Sequence, residues 1–357
     1  MLKRRDKIMS NVLSISKTTK VYVYCPAGIV TGGAELLHQL VDVINKNSLC
    51  AGGYIVYFGD APHEIPNDYK KYDIKLASTI EDSPEHVVVI YEGIFNFYFD
   101  ICNAQVVFWW LSVDNFYICQ AEHIVFNDLV RFNILLAFRA LKQRVKLFLL
   151  RKKIRRYSLK KLCDDKKICC HAYQSEYARD FLLKKGFENL MPLKDYINED
   201  YVHITDYPKK EDIVIYNPKK GYAFTKKLIE HGKTIHWIPI KNMTRAQVKE
   251  VMLKSKVYID FGYHPGKDRL PREAAMCRCC IITGKKGSAK YYGDIPIDEV
   301  QYKFTQSRKN IPMILNKIQF LLDNYETEIE TFSEYRNKIS IEKEEFAREV
   351  AALLCDS

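Results

Sequence analysis

Val257–Thr283, VYIDFGYHPGKDRLPREAAMCRCCIIT, is the stretch on which the fold reading turns. It opens with an apolar run of strand length, Val257–Phe261. A loop bearing Gly262, Pro265 and Gly266 follows. Leu270–Ala275 then starts a helix, predicted over Arg272–Met276. A second apolar run, Cys280–Thr283, comes directly after. Continuous apolar strands separated by a helical stretch describe a strand–loop–helix–strand unit of a parallel sheet covered on both faces. Pro271 suits the first helical turn, where its missing N–H is no loss. Glu273 lies in the same turn, where the helix dipole favours a carboxylate. That preference alone would account for it.

The same habit extends in both directions. Upstream, strands are predicted at Ile213–Tyr216 and Thr234–Ile238, with helices at Tyr222–His231 and Thr244–Ser255. The first half repeats it, with strands at Val21–Cys25, Tyr54–Phe58, Val87–Tyr91, Val106–Trp110 and Ile168–Tyr173. Between the first two lies Gly33–Asn45, with Leu36, Leu37, Leu40, Val41 and Ile44 at helical spacing. Alternating strand and helix implies doubly wound α/β structure. A chain of 357 residues has room for two such domains, at roughly 100–200 residues each. Asn198–Asp212 is polar, carries Pro208 and lacks periodicity, so the linker is placed there. The expected division is 1–203, 204–335 and a helical end at 336–357. In that end, Phe346, Val350 and Leu353 form one stripe that would pack back on the first domain. Two Rossmann-like domains facing a cleft result, and ligands of such sheets bind at the carboxyl ends of the strands.

Composition narrows the partners. The net charge of +11 suits nucleic acid, anionic lipid or phosphorylated ligands without choosing among them. Aromatic-interleaved RNA motifs and helix-turn-helix signals are missing, so no nucleic-acid partner is expected. The 11 cysteines lie mostly in apolar text, and no His or Cys set repeats at ligand spacing. Reduced, structural thiols, a cytoplasmic location and no metal site are the expectation. MLKRRDKIMSNVLSISK lacks the apolar core of a secretory signal. No run approaches the ~18–20 apolar residues that cross a bilayer.

Several loops carry charge or glycine where a ligand would bind. Pro26–Glu35, PAGIVTGGAE, precedes a helix, and Gly32 and Gly33 would let an anion approach its N-terminus. It is neither G-x-G-x-x-G nor a Walker loop, and a plain strand-to-helix turn would read the same. Asn217–Gly221, NPKKG, places Lys219 and Lys220 between a strand and a helix, as point charges for a phosphate or as solvated lysines. Gly284–Ala289, GKKGSA, follows another strand. In Trp109–Tyr117, WWLSVDNFY, Asp114 is the best-placed carboxylate for a general base, or simply a turn-forming residue.

Arg131–Lys161 is a different kind of segment. It holds twelve Lys or Arg and no Asp or Glu. Phe138, Leu141, Val145, Phe148 and Leu149 gather on one helical face. Basic amphipathic helices with large apolar residues lie at membrane interfaces. Arg139, Lys142, Lys146, Phe148, Arg151 and Lys152 are the candidate contacts with an anionic membrane surface. The other reading is a helix packed on its sheet with a solvated charged face.

Taken together, G-x-x-x-G (Gly262 to Gly266) before L-P-x-E-A-A-x-C, an apolar strand and a glycine loop resemble the donor domain of GT-B glycosyltransferases. The pattern is similar to the retaining, family-four-like (group 1) enzymes of bacterial surface polysaccharide synthesis. NPKKG, the opening GGAE of Gly32–Glu35, and Tyr173–Gly186 with Pro192–Ile197 match in order along most of the chain. The resemblance implies a nucleotide-sugar donor as co-substrate, no cofactor, and a saccharide or lipid-linked acceptor. The thiols give a cytoplasmic location, and the basic stretch adds a peripheral position on the inner face of the plasma membrane. Lys220, assisted by Lys219, would neutralise the leaving diphosphate. Glu273 would accept hydrogen bonds from donor hydroxyls, and the amides of Gly287 and Ser288 would approach the donor. The family's partner glutamate is here Pro265, and its arginine is replaced around Asn217. His264, Lys267 and Arg269 are the substitutes at hand. No D-x-D stands in a suitable loop, so metal-independent transfer is expected. A nucleotide-sugar epimerase of the same fold and a non-catalytic basic binding module are the alternatives.

Overall fold

The computed structural model describes residues 13–151 and 154–355. The chain forms two compact units, each with its own parallel sheet. The first comprises residues 1–174, 178–195 and 346–357, and the second 175–177 and 196–345.

The first unit holds strands β1 (Lys20–Pro26), β2 (Gly52–Phe58), β3 (Lys75–Leu76), β4 (Val87–Tyr91), β5 (Gln105–Trp110), β6 (Ile168–Tyr173) and β7 (Leu190–Pro192). Their order is β3-β2-β1-β4-β5-β6-β7, and every pairing is parallel. The continuous apolar strands are buried on both faces, as Val87–Ile90 and Val106–Trp110 show. Helix α1 (Gly32–Lys46) is N-capped by Thr31, whose hydroxyl accepts from the Ala34 amide at 3.3 Å. Its apolar residues Leu36, Leu37, Leu40, Val41 and Ile44 are all buried.

The second unit holds β8 (Glu211–Tyr216), β9 (His236–Pro239), β10 (Ser255–Asp260) and β11 (Cys280–Thr283), in the order β11-β10-β8-β9. The strand expected over Thr234–Ile238 begins two residues later, because the Ile235 amide closes a turn onto the Gly232 carbonyl. The helix after β10 runs Arg269–Met276, three residues longer at its start than expected.

Two boundaries move. The polar segment 198–212 is no free linker. It contains a short helix, Glu199–Val202, and Ile197 and Tyr201 are buried in the second core. These apolar anchors put the division at 195/196 rather than 203/204. At the other end it falls at 345/346, within the helix Glu342–Leu353. From Phe346 onward the chain belongs to the first unit. Phe346 stacks on Trp109 at 6.4 Å between centroids, and Glu349 accepts the Lys194 amide at 2.7 Å. Phe346 and Val350 are fully buried there. Trp109 and Trp110 are likewise core.

Between β5 and β6 the chain forms α2 (Val113–Cys119), α3 (Phe126–Phe132) and α4 (Ile134–Leu149), and α4 carries the first half of the basic segment. No helix among the described residues is long and apolar enough to cross a membrane.

Candidate functional site

In an open parallel sheet, the crevice lies where strand order reverses. In the second unit the chain passes from β8 outward to β9, then returns to the other side at β10. The reversal therefore falls between β8 and β10. The loops leaving their carboxyl ends are Asn217–Gly221 and Phe261–Asp268, and both carry lysine and glycine.

These loops and the one after β11 are locked together by backbone approach. Gly221 has φ +64°, and a Cβ there would collide with the Phe261 carbonyl. A Cβ on Gly262 would collide with the Lys220 side chain. Gly287, at φ +63°, abuts the His264 carbonyl, and the Ser288 amide donates to that same carbonyl at 2.8 Å. Only glycine adopts such φ without strain while leaving room for a crossing backbone. Gly287→Ala is therefore expected to displace the 284–289 loop, and a melting temperature equal to the parent's would show otherwise.

Lys220 stands at this junction. Its ammonium donates to Asp268 Oδ2 at 2.6 Å, and its side chain is 34% exposed. It precedes the helix Tyr222–His231, whose N-cap is Gly221 and whose first turn no side chain caps. An uncapped helix start presents N–H groups and positive dipole to an anion. Lys219 is exposed, and the Asn217 carboxamide accepts its amide at 3.0 Å. Asn217 thus shapes the turn where the resembling family carries an arginine.

Behind Lys220 lies a charged cluster that the sequence reading missed. His264 is fully buried, with Nε2 3.4 Å from Asp260 Oδ1 and Nδ1 3.2 Å from Asp268 Oδ2. Neither ring nitrogen makes a well-aligned hydrogen bond, so these are ion-pair contacts. Asp260 is fixed by the Tyr258 hydroxyl at 2.8 Å and the Gly262 amide at 2.7 Å. Burial pulls the His264 pKa down, but attraction to Asp260 and then Asp268 outweighs it, and the net shift from 6.5 is upward. Burial pushes the Asp260 carboxyl up, but His264 and the Gly262 amide hold it below 3.8. The signal was present as Asp260-x-x-x-His264-x-x-x-Asp268, a spacing that runs from the end of β10 through the loop after it.

These three side chains also lie close enough together to resemble a cation site. Protein donors already face the carboxylates: each Asp260 oxygen accepts one, and Asp268 Oδ2 holds Lys220. The set fits His264 and Lys220 as its cations.

The pair carries a pH signature. Stability due to the raised His264 pKa is fully present below about pH 6.5 and is lost as pH rises through the folded-state value. Stability due to the lowered Asp260 pKa is present above about pH 3.8 and is lost as pH falls through the folded-state value. The difference in melting temperature between the parent and His264→Asn should therefore be largest in mildly acidic buffer and shrink toward alkaline pH. Parallel curves would reject the assignment.

Other expected contacts are placed differently. Lys267 pairs with Glu342 at 2.7 Å and is 10% exposed, and Ser288 is buried with its hydroxyl donating to Gly266 O at 2.6 Å. With His264, these residues support the loops from inside and do not stand open to a ligand. Arg272, fully buried, pairs with the same Glu342 at 2.8 Å. Arg269 and Glu273 are partly exposed in the helix that follows.

In the first unit the reversal lies between β1 and β4. Gly32 and Gly33 begin α1, and the space where a Gly33 side chain would stand is open. Asp114 sits in the first turn of α2 behind the cap Ser112 and is 4% exposed. Glu92, at the carboxyl end of β4, went unnoticed in the sequence. Its carboxylate accepts the Leu111 amide at 2.9 Å, and burial pushes its pKa up to about 8. It is therefore largely neutral at pH 7.

No sequence family and no curated protein matches this chain. Solved structures do. TarM of S. aureus, in complex with UDP and α-GlcNAc-glycerol, superposes with a TM-score of 0.53 at 16% identity, over 77% of this chain and 56% of TarM. The chain thus spans about half of TarM's length. HepE of Anabaena in complex with UDP gives 0.56 at 10% identity, covering 94% and 99%. The lipopolysaccharide outer core galactosyltransferase WaaB gives 0.51 at 9% identity, covering 93% and 99%. The fold is that of the GT-B glycosyltransferases.

Proposed function

We propose that the protein is a glycosyltransferase that moves a sugar from a nucleotide-sugar donor to a saccharide or lipid-linked acceptor in cell-surface polysaccharide synthesis. One observation carries this reading: Lys220 and an uncapped helix start meet at the strand-order reversal of the second sheet. That is where an open α/β sheet binds its ligand. The chemistry at such a point is anion recognition, and a nucleoside diphosphate is the anion that TarM and HepE hold.

The mechanism is electrostatic. As the glycosidic bond to the diphosphate breaks, negative charge grows on the leaving oxygen. Lys220, assisted by Lys219 and the dipole of Tyr222–His231, stabilises it. Glu273 and Arg269, on the helix after β10, bind donor hydroxyls and phosphate. The Gly287 amide approaches the donor. The residues assigned here need no metal.

Two measurements test the reading. Nucleoside diphosphates should raise the melting temperature, with a stabilisation of about 2.7 kcal/mol at a hundred times Kd. Purified protein should slowly release UDP or GDP from a sugar nucleotide. Interconversion of the donor sugar without release would mark an epimerase, and the absence of both thermal shift and nucleotide release would overturn the reading.

A further inference from the structure

Helix α4 buries the wrong face for a helix that packs through its large apolar residues. Only Ala137, Ala140 and Arg144 of its sixteen residues are buried. The large side chains point outward: Leu135 is 68% exposed, Phe138 54%, Val145 53%, Phe148 78% and Leu149 74%. Scattered apolar residues on a surface need no explanation, but a continuous stripe does. At α-helical spacing, Ile134, Phe138, Leu141, Val145 and Phe148 form one row beside the buried alanines. Arg139, Lys142 and Lys146 form the next row, and all three are exposed. Arg151 and Arg156, after the helix, are exposed too, and Lys152 lies outside the described residues.

Arg144 explains how the helix is held with so small a buried face. Its guanidinium donates to the Ala121, Glu122 and Ile124 carbonyls, which tie α4 to the segment between α2 and α3. The attachment is polar and the apolar stripe is left over. Beside it opens a cavity of about 580 Å³, between Phe126 of α3, Leu141, Val145 and Phe148 of α4, and Ile154. Arg156 also lines it. That combination accepts hydrocarbon inside and an anionic headgroup at the edge.

We infer that α3 and α4 form a docking surface for an anionic lipid bilayer, with the apolar row immersed and the basic row against the headgroups. Charge complementarity selects this occupant. A stretch with twelve cations and no carboxylate between Arg131 and Lys161 matches an anionic surface and repels a second copy of itself. The inference stands apart from the sugar-transfer reading, because it uses no residue of the donor site.

Flotation of the full chain with vesicles tests it. Binding is expected to phosphatidylglycerol–phosphatidylcholine vesicles, weakening as salt rises, and not to phosphatidylcholine alone. Arg139→Gln with Lys142→Gln and Lys146→Gln should weaken binding on the order of 100-fold. Phe148→Ser with Leu149→Ser should weaken it about tenfold or more. Both variants change exposed side chains and should keep the parent melting temperature and the parent rate of donor hydrolysis. Equal binding to neutral and anionic vesicles overturns the proposal. So does no vesicle binding with self-association in sedimentation, which would assign the stripe to a second copy of the chain.

Discussion

Lys220→Ala should lower turnover of a sugar nucleotide by about 10²–10³-fold, the loss that follows removal of one preorganised donor aimed at developing negative charge. Lys220 holds the strand-order reversal between β8 and β10, and its ammonium is already spent on Asp268 at 2.6 Å. A diphosphate entering this point competes with that carboxylate for the same cation. Asp268→Asn should consequently tighten nucleoside diphosphate binding, while Lys220→Ala loosens it. Initial rates of nucleoside diphosphate release, measured at saturating donor, separate the chemical step from binding. Undiminished turnover in Lys220→Ala would take this residue out of the mechanism. The argument for the loops as a site would then fall on Lys219 and the helix start alone.

Glu342→Ala should destabilise the second unit by about 3–5 kcal/mol. Glu342 is 5% exposed and divides its two oxygens between Lys267 at 2.7 Å and Arg272 at 2.8 Å. Arg272 is fully buried. Truncating the carboxylate removes one counter-charge shared by two cations held inside, and breaking a buried pair by removing one partner costs more than the pair itself gains. Urea unfolding followed through Trp237, the tryptophan of the second unit, reads this loss directly. A midpoint within the parent's error would show that water or another carboxylate replaces Glu342. Because Glu342 opens the helix Glu342–Leu353, the same variant tests whether that helix needs its first turn anchored.

The strands were legible because they are buried on both faces. A run such as Val87–Tyr91 has no polar position to interrupt it, and composition alone marks it. The opening helix was legible through Leu36, Leu37, Leu40, Val41 and Ile44, a stripe that only helical spacing explains. The candidate site was half legible. Lys219, Lys220 and Gly287 announce themselves by charge or glycine after a strand. His264, Lys267 and Ser288 announce themselves in the same way, yet the fold turns each inward to a partner. Whether a polar side chain faces a ligand or a neighbour is a matter of which loops touch, and no local pattern encodes it. Glu92 had no local signal at all. Its raised pKa comes from burial at the end of β4, a property of the packed sheet.

The chain by itself determined two α/β units, their strands, and the loops that carry glycine and cations, because periodicity and burial are written residue by residue. Tertiary structure alone decided that β8 and β10 are neighbours, that Glu342 from distant sequence neutralises Lys267 and Arg272, and that the apolar stripe of α4 faces outward. These are statements about which segments meet in space. The energy of an ion pair or an exposed apolar face depends on the partner that arrives, and the partner is fixed only when the sheet closes.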